Sequence, residues 1–569
     1  MCYNYYQIKT HMSTASTRKL TRLHVGPLPL IRSIAQRLRL REILLEHLPS
    51  SDRQSFPRAD LILLLAVNLT LAKDPLYELA QWIRSLDLLT LGYDPRADGA
   101  FSDDRFARAL DQLFDADRTS LLTRLAVSAI QAFDIRSERI HNDSTTVKAF
   151  GRIPGSTRTG LELRKGHSKD HRPDLKQLVY TLSVSDDGAV PIHHHVYPGN
   201  RNDEKTHIET WNSLCQIHGS ANFLYVADCK LCTQEQLGYI VEHGGKAITT
   251  LPHCFLDVRQ FYERLRTAPV PKTLLWRRPK PNYPGTTESF YLFEGTYFSQ
   301  HGHYPVYWYY STEKRQRDRK SREERLELAE EKLAELALRL NRAHLKHQAE
   351  ILGAAKAILE HYAVEPFIDL RLQTHMHVTR KRPRGRPRGE KAVYRYEHHV
   401  TYSLHWPRNV QALAAEARID GVFPQLCTDP TATAKAVLQA YKFQPRLEKR
   451  FSQFKSVHRA APLLFKKIRR VEANMFVFFI ALMIQALLER ELRKKLAERG
   501  APPLKLYPED RDAPHPTTSQ LFKTFDRLST YRITQEDGSC EQLHDELNET
   551  QRQVLSLLDI PEESFWQMN

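Results

Sequence analysis

Tyr441, Glu448 and Lys455 recur at seven-residue steps in residues 440–459, AYKFQPRLEKRFSQFKSVHR. Seven residues are nearly two helical turns, so one continuous helix would align a phenol, a carboxylate and an ammonium on one face. A carboxylate in that company, on a helix crowded with arginine and lysine, suits a metal ion and a phosphate backbone. Alone, the same residues also describe a solvated basic helix with a few surface ion pairs. Two aspartates elsewhere favour the first reading by their settings.

The first is Asp143, in RIHNDSTTVKAF (139–150), where Ile140, Thr145, Thr146 and Val147 favour a strand and Gly151 and Pro154 end it. Aspartate is disfavoured mid-strand. It is there either as a metal-binding carboxylate on a central strand or as a hydrogen-bonded turn residue. Residues 178–200 read as two antiparallel strands with a hairpin at Asp187 and Gly188, and a helix follows. The second acid is Asp228, which closes the apolar strand NFLYVAD (222–228) and feeds a helix. That places its carboxylate at the carboxyl edge of a sheet, a usual place for chemistry.

Neighbouring motifs carry less. His193, His194 and His195 alternate faces on a strand and cannot all bind one ion, so structural or phosphate-proximal roles are favoured. Cys229 and Cys232 form a CxxC for which only His253 and Cys254 offer a second ligand pair, so zinc or redox use is disfavoured. His167 and Lys169 are candidate contacts to a DNA backbone.

The elements that must position these acids follow from composition and pattern. The 569 residues carry a net charge of +16, which favours an anionic partner, usually nucleic acid. Seven cysteines make no disulfide framework at this length, and no signal pattern opens the chain, so a cytoplasmic protein is expected. The apolar run 475–488 is short for a bilayer and is expected to be a buried core helix. Residues 1–18 lack periodicity. From Leu23 to Phe133 the pattern is one of short helices, including 101–114 with Ser102 as N-cap. Those helices form either a DNA-end-binding domain or a dimerisation scaffold.

Asp143 and Asp228 are 85 positions apart, and Glu448 lies 220 further on, so a large insertion separates the second acid from the glutamate. Its first part, 273–312, is aromatic and β-forming. From about Ser321 a charged helix keeps heptad rhythm through Leu326, Leu333 and Leu340, and a hairpin with residues 351–362 is favoured over an intermolecular coil. Residues 380–388, RKRPRGRPR, are extended and basic. The PRGRP core with Arg384 and Arg386 resembles an AT-hook, an arm that lies in narrow A·T minor grooves; the alternative is a solvated basic loop. Strands are expected at 394–406 and 421–427, then a helix from Thr431 into Glu448.

The order strand-Asp, hairpin, strand-Asp, insertion, helix-Glu is that of an RNase H-like domain. From about His24 to Phe525 the chain resembles a DDE transposase of a bacterial insertion sequence, from the insertion-sequence-four superfamily. That family carries a Y-(2)-R-(3)-E-(6)-K signature. Tyr441, Glu448 and Lys455 match it, Gln444 occupies the arginine position, and Arg446 stands two places on.

The resemblance implies an α/β and α+β multidomain fold. A helical DNA-binding domain (1–135) would precede an RNase H-like core (136–255 and 415–495). The core would be interrupted by a β-rich and helical-hairpin insertion (256–414) and followed by a helical C-terminal region (496–569). It further implies that Asp143, Asp228 and Glu448 hold two Mg²⁺ or Mn²⁺ ions, hard cations that take oxygen ligands. Tyr441, Lys455 and Arg446 would contact DNA, and Trp276, Trp308 or Trp406 would stack a flipped base. The implied activity is cleavage and strand transfer at transposon ends by a homodimer on double-stranded DNA. A catalytically inactive, transposase-derived DNA-binding protein is the alternative.

Overall fold

Strand-forming residues before and after Asp143 do build a strand, and a mixed sheet assembles around it. The computed structural model describes residues 19–50, 56–93, 101–149, 153–166, 169, 172–201, 206–280, 285–300, 302–342, 344–382, 394–457, 465–507, 509, 511–535 and 539–566. Two compact units result: Met1–Ile248 with Gln439–Asn569, and Thr249–Leu438. The expected insertion, 256–414, falls within the second.

In the first unit the strands are β1 (Lys19–His24), β2 (Arg139–Ala149), β3 (Lys176–Ser185), β4 (Pro191–Pro198), β5 (Leu224–Val226) and β6 (Lys246–Thr249). The central order is β4-β3-β2-β5-β6. The β2–β3 and β3–β4 pairs are antiparallel, while β2–β5 and β5–β6 are parallel. Gly188 turns the β3–β4 hairpin at φ +84°, and a Cβ there would meet the Arg490 side chain at 2.8 Å. Glycine is thus required twice over, by conformation and by space.

Short helices fill residues 28–133, as the periodicity predicts. Ser102 Oγ accepts from Arg105 N at the start of Asp103–Asp115, whose Phe106, Leu110, Leu113 and Phe114 are buried. These helices pack on Ile468–Glu498 within one unit. That helix is longer than the apolar run indicates. Its 31 residues would be long and apolar enough to cross a membrane, but its apolar window is 100% buried inside the protein. Phe476 and Phe479 meet the His194 ring of β4 from that helix. The C-terminal region is not all helical. Thr518–Phe525 is a helix, but Ser529–Thr534 is a strand between β1 and Cys540–His544.

The second unit has an antiparallel sheet ordered Val422–Cys427, Pro305–Ser311, Thr287–Phe293, Lys272–Pro279. Trp308 is 2% exposed and stacks on Phe261 at 3.9 Å, so it is core. Trp276 stacks on Phe290 at 5.2 Å, and Trp406 packs against the helical hairpin. Thr312–Ala337 and Gln348–His361 fold back on each other, with Leu326, Leu333 and Leu340 buried against Ile351, Ala355 and Leu359. Heptad residues are thereby satisfied within one chain. Arg371–Lys381 and Arg395–His405 form a two-stranded antiparallel ribbon.

Candidate active site

Strand β5 runs parallel to β2 with Arg139 opposite Leu224, Ile140 opposite Tyr225 and His141 opposite Val226. Carried two residues further, that register sets Asp143 level with Asp228. Both acids lie just past the end of the paired segment, close enough for the Asp228 charge to act on Asp143. Strand β5 stops at Val226, and Asp228 N-caps the turn Cys229–Leu231, its Oδ1 accepting from Lys230 N at 3.0 Å.

The electrostatics carry the signature of this proximity. Burial pushes the Asp143 carboxyl up to about 6; Lys169 opposes the rise and Asp228 adds to it. Lys169 Nζ lies 2.7 Å from Ser144 O, 3.0 Å from Ser144 Oγ and 3.4 Å from Asp143 Oδ1. An ammonium therefore sits against one of the two carboxylates, that of Asp143 on β2. His167 lies outside the described residues.

The third acid arrives by a different route than the seven-residue spacing implies. No single helix spans Tyr441 to Lys455. One helix, Ala434–Tyr441, ends at the tyrosine; a second, Gln444–Ser452, restarts with proline in its first turn, and Gln453–Val457 continues as π-helix. Pro445 has no N–H to continue the preceding helix and biases Gln444 away from the α region, which favours the break. Tyr441, Glu448 and Lys455 therefore do not share one helical face, contrary to the expectation from spacing.

The glutamate helix is nonetheless anchored on β2. The Phe443 ring lies 4.6 Å from that of His141, and Gln444 Nε2 donates to Asn142 O at 3.4 Å. His141 and Asp143 share a face of the regular strand β2. Further on, Phe454 stacks on Tyr180 of β3 at 4.5 Å, and Tyr180 pairs with Thr145. So the helix crosses the face that carries Asp143. Glu448, one turn beyond Gln444, is exposed. Asp143 and Asp228 come together. Among the described residues, however, no three His, Cys, Asp or Glu side chains are grouped closely enough to hold one metal ion. Arg446 lies over the Phe443 ring at 4.9 Å, and Arg384 and Arg386 fall outside the described residues.

Arg450 is the positioning residue that spacing missed. It is 3% exposed; Nε donates to Ala189 O at 3.0 Å, Nη2 to Gly188 O at 2.9 Å, and Nη1 to Glu489 at 2.9 Å. One guanidinium thus ties the glutamate helix to the β3–β4 turn and to the core helix. The signal was present: Leu447, Arg450, Phe451 and Phe454 follow helical spacing, and a cation on an otherwise apolar stripe requires a buried partner. His193 and His194 are buried and kept neutral. Burial brings His193 down to about 3 and holds His194 far below the usual range. The six described cysteines are free thiols.

Residues 20–127 match a family model described as a domain of unknown function, DUF4277. A comparison with curated proteins finds no match. A similar solved structure is a cryo-EM structure of a piggyBac transposase synaptic complex with hairpin DNA, at 12% identity and TM-score 0.26. The likeness covers 52% of this chain and 63% of that one, so this chain spans less than two thirds of the protein it resembles.

Proposed function

We propose that this protein is a DNA transposase of the DDE type, which cuts and rejoins phosphodiester bonds at the ends of a mobile element. The observation that carries the reading is the approach of Asp228, just past the end of β5, to Asp143 on the neighbouring parallel strand β2, on the sheet face that the helix bearing Glu448 crosses. The strand order β4-β3-β2-β5-β6, three antiparallel and two parallel, supports an RNase H-like core. The partial match to the tyrosine, glutamate and lysine signature supports the insertion-sequence assignment.

The donor set suits divalent magnesium or manganese. Burial does most to raise the Asp143 carboxyl and the nearby Asp228 charge adds to it, so a divalent cation would stabilise the ionised pair. Asp143 and Asp228 would hold such ions, with Glu448 as the third acid; when bound, they supply water activation and charge neutralisation at the phosphate. The chain's own groups do the rest. Arg450 fixes the glutamate helix. Lys169 offers a cation beside Asp143 for a phosphate oxygen. Tyr441, Arg446 and Lys455 would contact the DNA end, and the net positive charge would draw DNA in. Homodimerisation on two ends and a cytoplasmic location belong to the same proposal.

A second reading, a DNA-binding protein that has lost catalysis, is favoured by the lack of a three-acid group among the described residues. One experiment separates them. DNA carrying the sequences that flank the reading frame is incubated with full-length protein and Mg²⁺, and nicking is followed on gels. Glu448→Gln should abolish nicking, at least about a hundredfold, while leaving DNA affinity within about twofold. Nicking that survives the substitution refutes the site. Binding with no metal-dependent nicking by the wild type selects the second reading.

A further inference from the structure

The ribbon in the second unit pairs eleven residues on each strand without a bulge, from Arg371 opposite His405 to Lys381 opposite Arg395. Its two faces differ. One begins at Leu372, Leu404 and Tyr402, which pack against the helical hairpin, where Asn341 also clamps the Tyr402 backbone at 2.7 and 2.9 Å. Strand alternation continues this face outward through Thr374, Met376, Val378 and Arg380 on one strand and Val400, His398 and Tyr396 on the other, so apolar side chains predominate on it until the outer end. The hairpin does not cover them: Met376 is 75% exposed and Tyr396 60%. The opposite face carries Gln373, His375, His377, Thr401 and Ser403.

Charge is sorted by position along the ribbon, with Arg380 on the mainly apolar face and Lys381 and Arg395 on the other. Arg380, Lys381, Arg382 and Arg395 gather at the outer end. The single ribbon carboxylate, Glu397, is taken up by Lys381 at 2.6 Å. An isolated two-stranded hairpin is marginal in water, and an uncovered apolar strand face is a liability. Anchoring at the base explains why the ribbon persists. It does not explain the exposed apolar face under a cluster of cations.

We infer that this ribbon is a DNA-binding arm: its apolar face enters a groove of duplex DNA, and its outer cations meet the flanking phosphates. A two-stranded ribbon is of a size that the major groove admits, and thymine methyls offer apolar contacts to Met376, Val378 and Val400. A second copy of this chain would instead bring two net-positive ends into one interface, each with four cations against the one carboxylate Glu397. The inference deepens the transposase reading by naming an element that grips DNA away from the carboxylates.

The test uses full-length protein, a labelled duplex of the flanking sequence, and anisotropy titrations across a range of KCl. Arg380→Ala with Arg395→Ala should flatten the plot of log affinity against log salt by about two. It should weaken binding by roughly tenfold at 150 mM. Val378→Glu, which sets a carboxylate on the groove-facing side, should weaken binding by at least as much. Both sites are exposed, so thermal unfolding should be unchanged, which excludes misfolding as the cause. Wild-type affinity and salt slope in both variants would overturn the arm while leaving nicking, and hence the enzymatic reading, intact. A dimer that Val378→Glu dissociates without loss of DNA affinity would also overturn it, in favour of self-association. If nicking survives Glu448→Gln but the ribbon variants bind weakly, the arm stands and the catalytic assignment falls.

Discussion

Three buried imidazoles lie on the sheet that carries Asp143, His141 on β2 and His193 and His194 on β4, and their protonation contributes to the unit's response to acid. His193 illustrates the sign. Its folded pKa is lowered from 6.5 to about 3 by burial, with His195 adding to the effect. The unfolded chain takes up a proton near 6.5 that the folded chain refuses until about 3. This contribution to stability is therefore whole above 6.5 and is lost as pH falls toward 3, by about 1.4 kcal/mol for each pH unit. His141, about 3 for its folded pKa, and His194 act in the same direction. Urea unfolding between pH 7 and 4.5 should show stability falling with acid, and His193→Gln should reduce that slope by roughly 1 kcal/mol per pH unit. An unchanged slope would mean the ring is not held neutral in the fold.

At the scale of elements, the glutamate helix depends on one buried ion pair. Arg450 and Glu489 are each 4% exposed in their side chains and lie 2.9 Å apart. Burial pushes Glu489 upward, but Arg450 and Arg493 outweigh it and keep the carboxyl below its ordinary range. Arg450→Met removes the closest cation from that buried carboxylate, leaving it Arg493 at 3.4 Å, Gln453 and Thr518, and should destabilise the protein by about 3 kcal/mol in urea unfolding. Arg450→Met with Glu489→Met removes both charges and should recover much of the loss. A double variant no more stable than the single one would show that the pair itself is not the source.

The same elements show what pattern does and does not disclose. The acid-bearing strands, the hairpin turn, the Ser102 cap and the helical hairpin were legible because each follows from a local rule: strand alternation, glycine at positive φ, capping, heptad spacing. The broken helix between Tyr441 and Lys455 was not, because sevenfold spacing presumes a continuous helix that Pro445 disfavours. The apolar stripe around Arg450 signals a buried partner, but which partners it has is hidden, because Gly188, Ala189 and Glu489 are remote in sequence. Register likewise emerged only from the fold: 85 residues separate both Arg139 from Leu224 and Asp143 from Asp228, but only parallel pairing makes that number mean adjacency.

Across the whole molecule, the first unit is closed by residues from opposite ends of the chain. Ser529–Thr534 is the middle strand of three, with β1 on one side and Cys540–His544 on the other. Leu528 O accepts from both Val25 N and Gly26 N at 3.0 Å, and His24 O accepts from Asp87 N at 2.9 Å. The C-terminal strand was expected to be helical, since polar residues around a helix read as more helix; pairing with β1, some five hundred residues away, overrides that local preference. Thr530 stands opposite Leu23 and His544 in the two ladders. Thr530→Pro removes a donor from the central strand, where proline is not accommodated. Hydrogen exchange should then accelerate by about tenfold or more at residues 19–24 and 540–544 together. The amides of β2 and β3, which close their own ladder, should keep their protection. Faster exchange confined to one outer strand would show that the ends of the chain do not close the unit cooperatively.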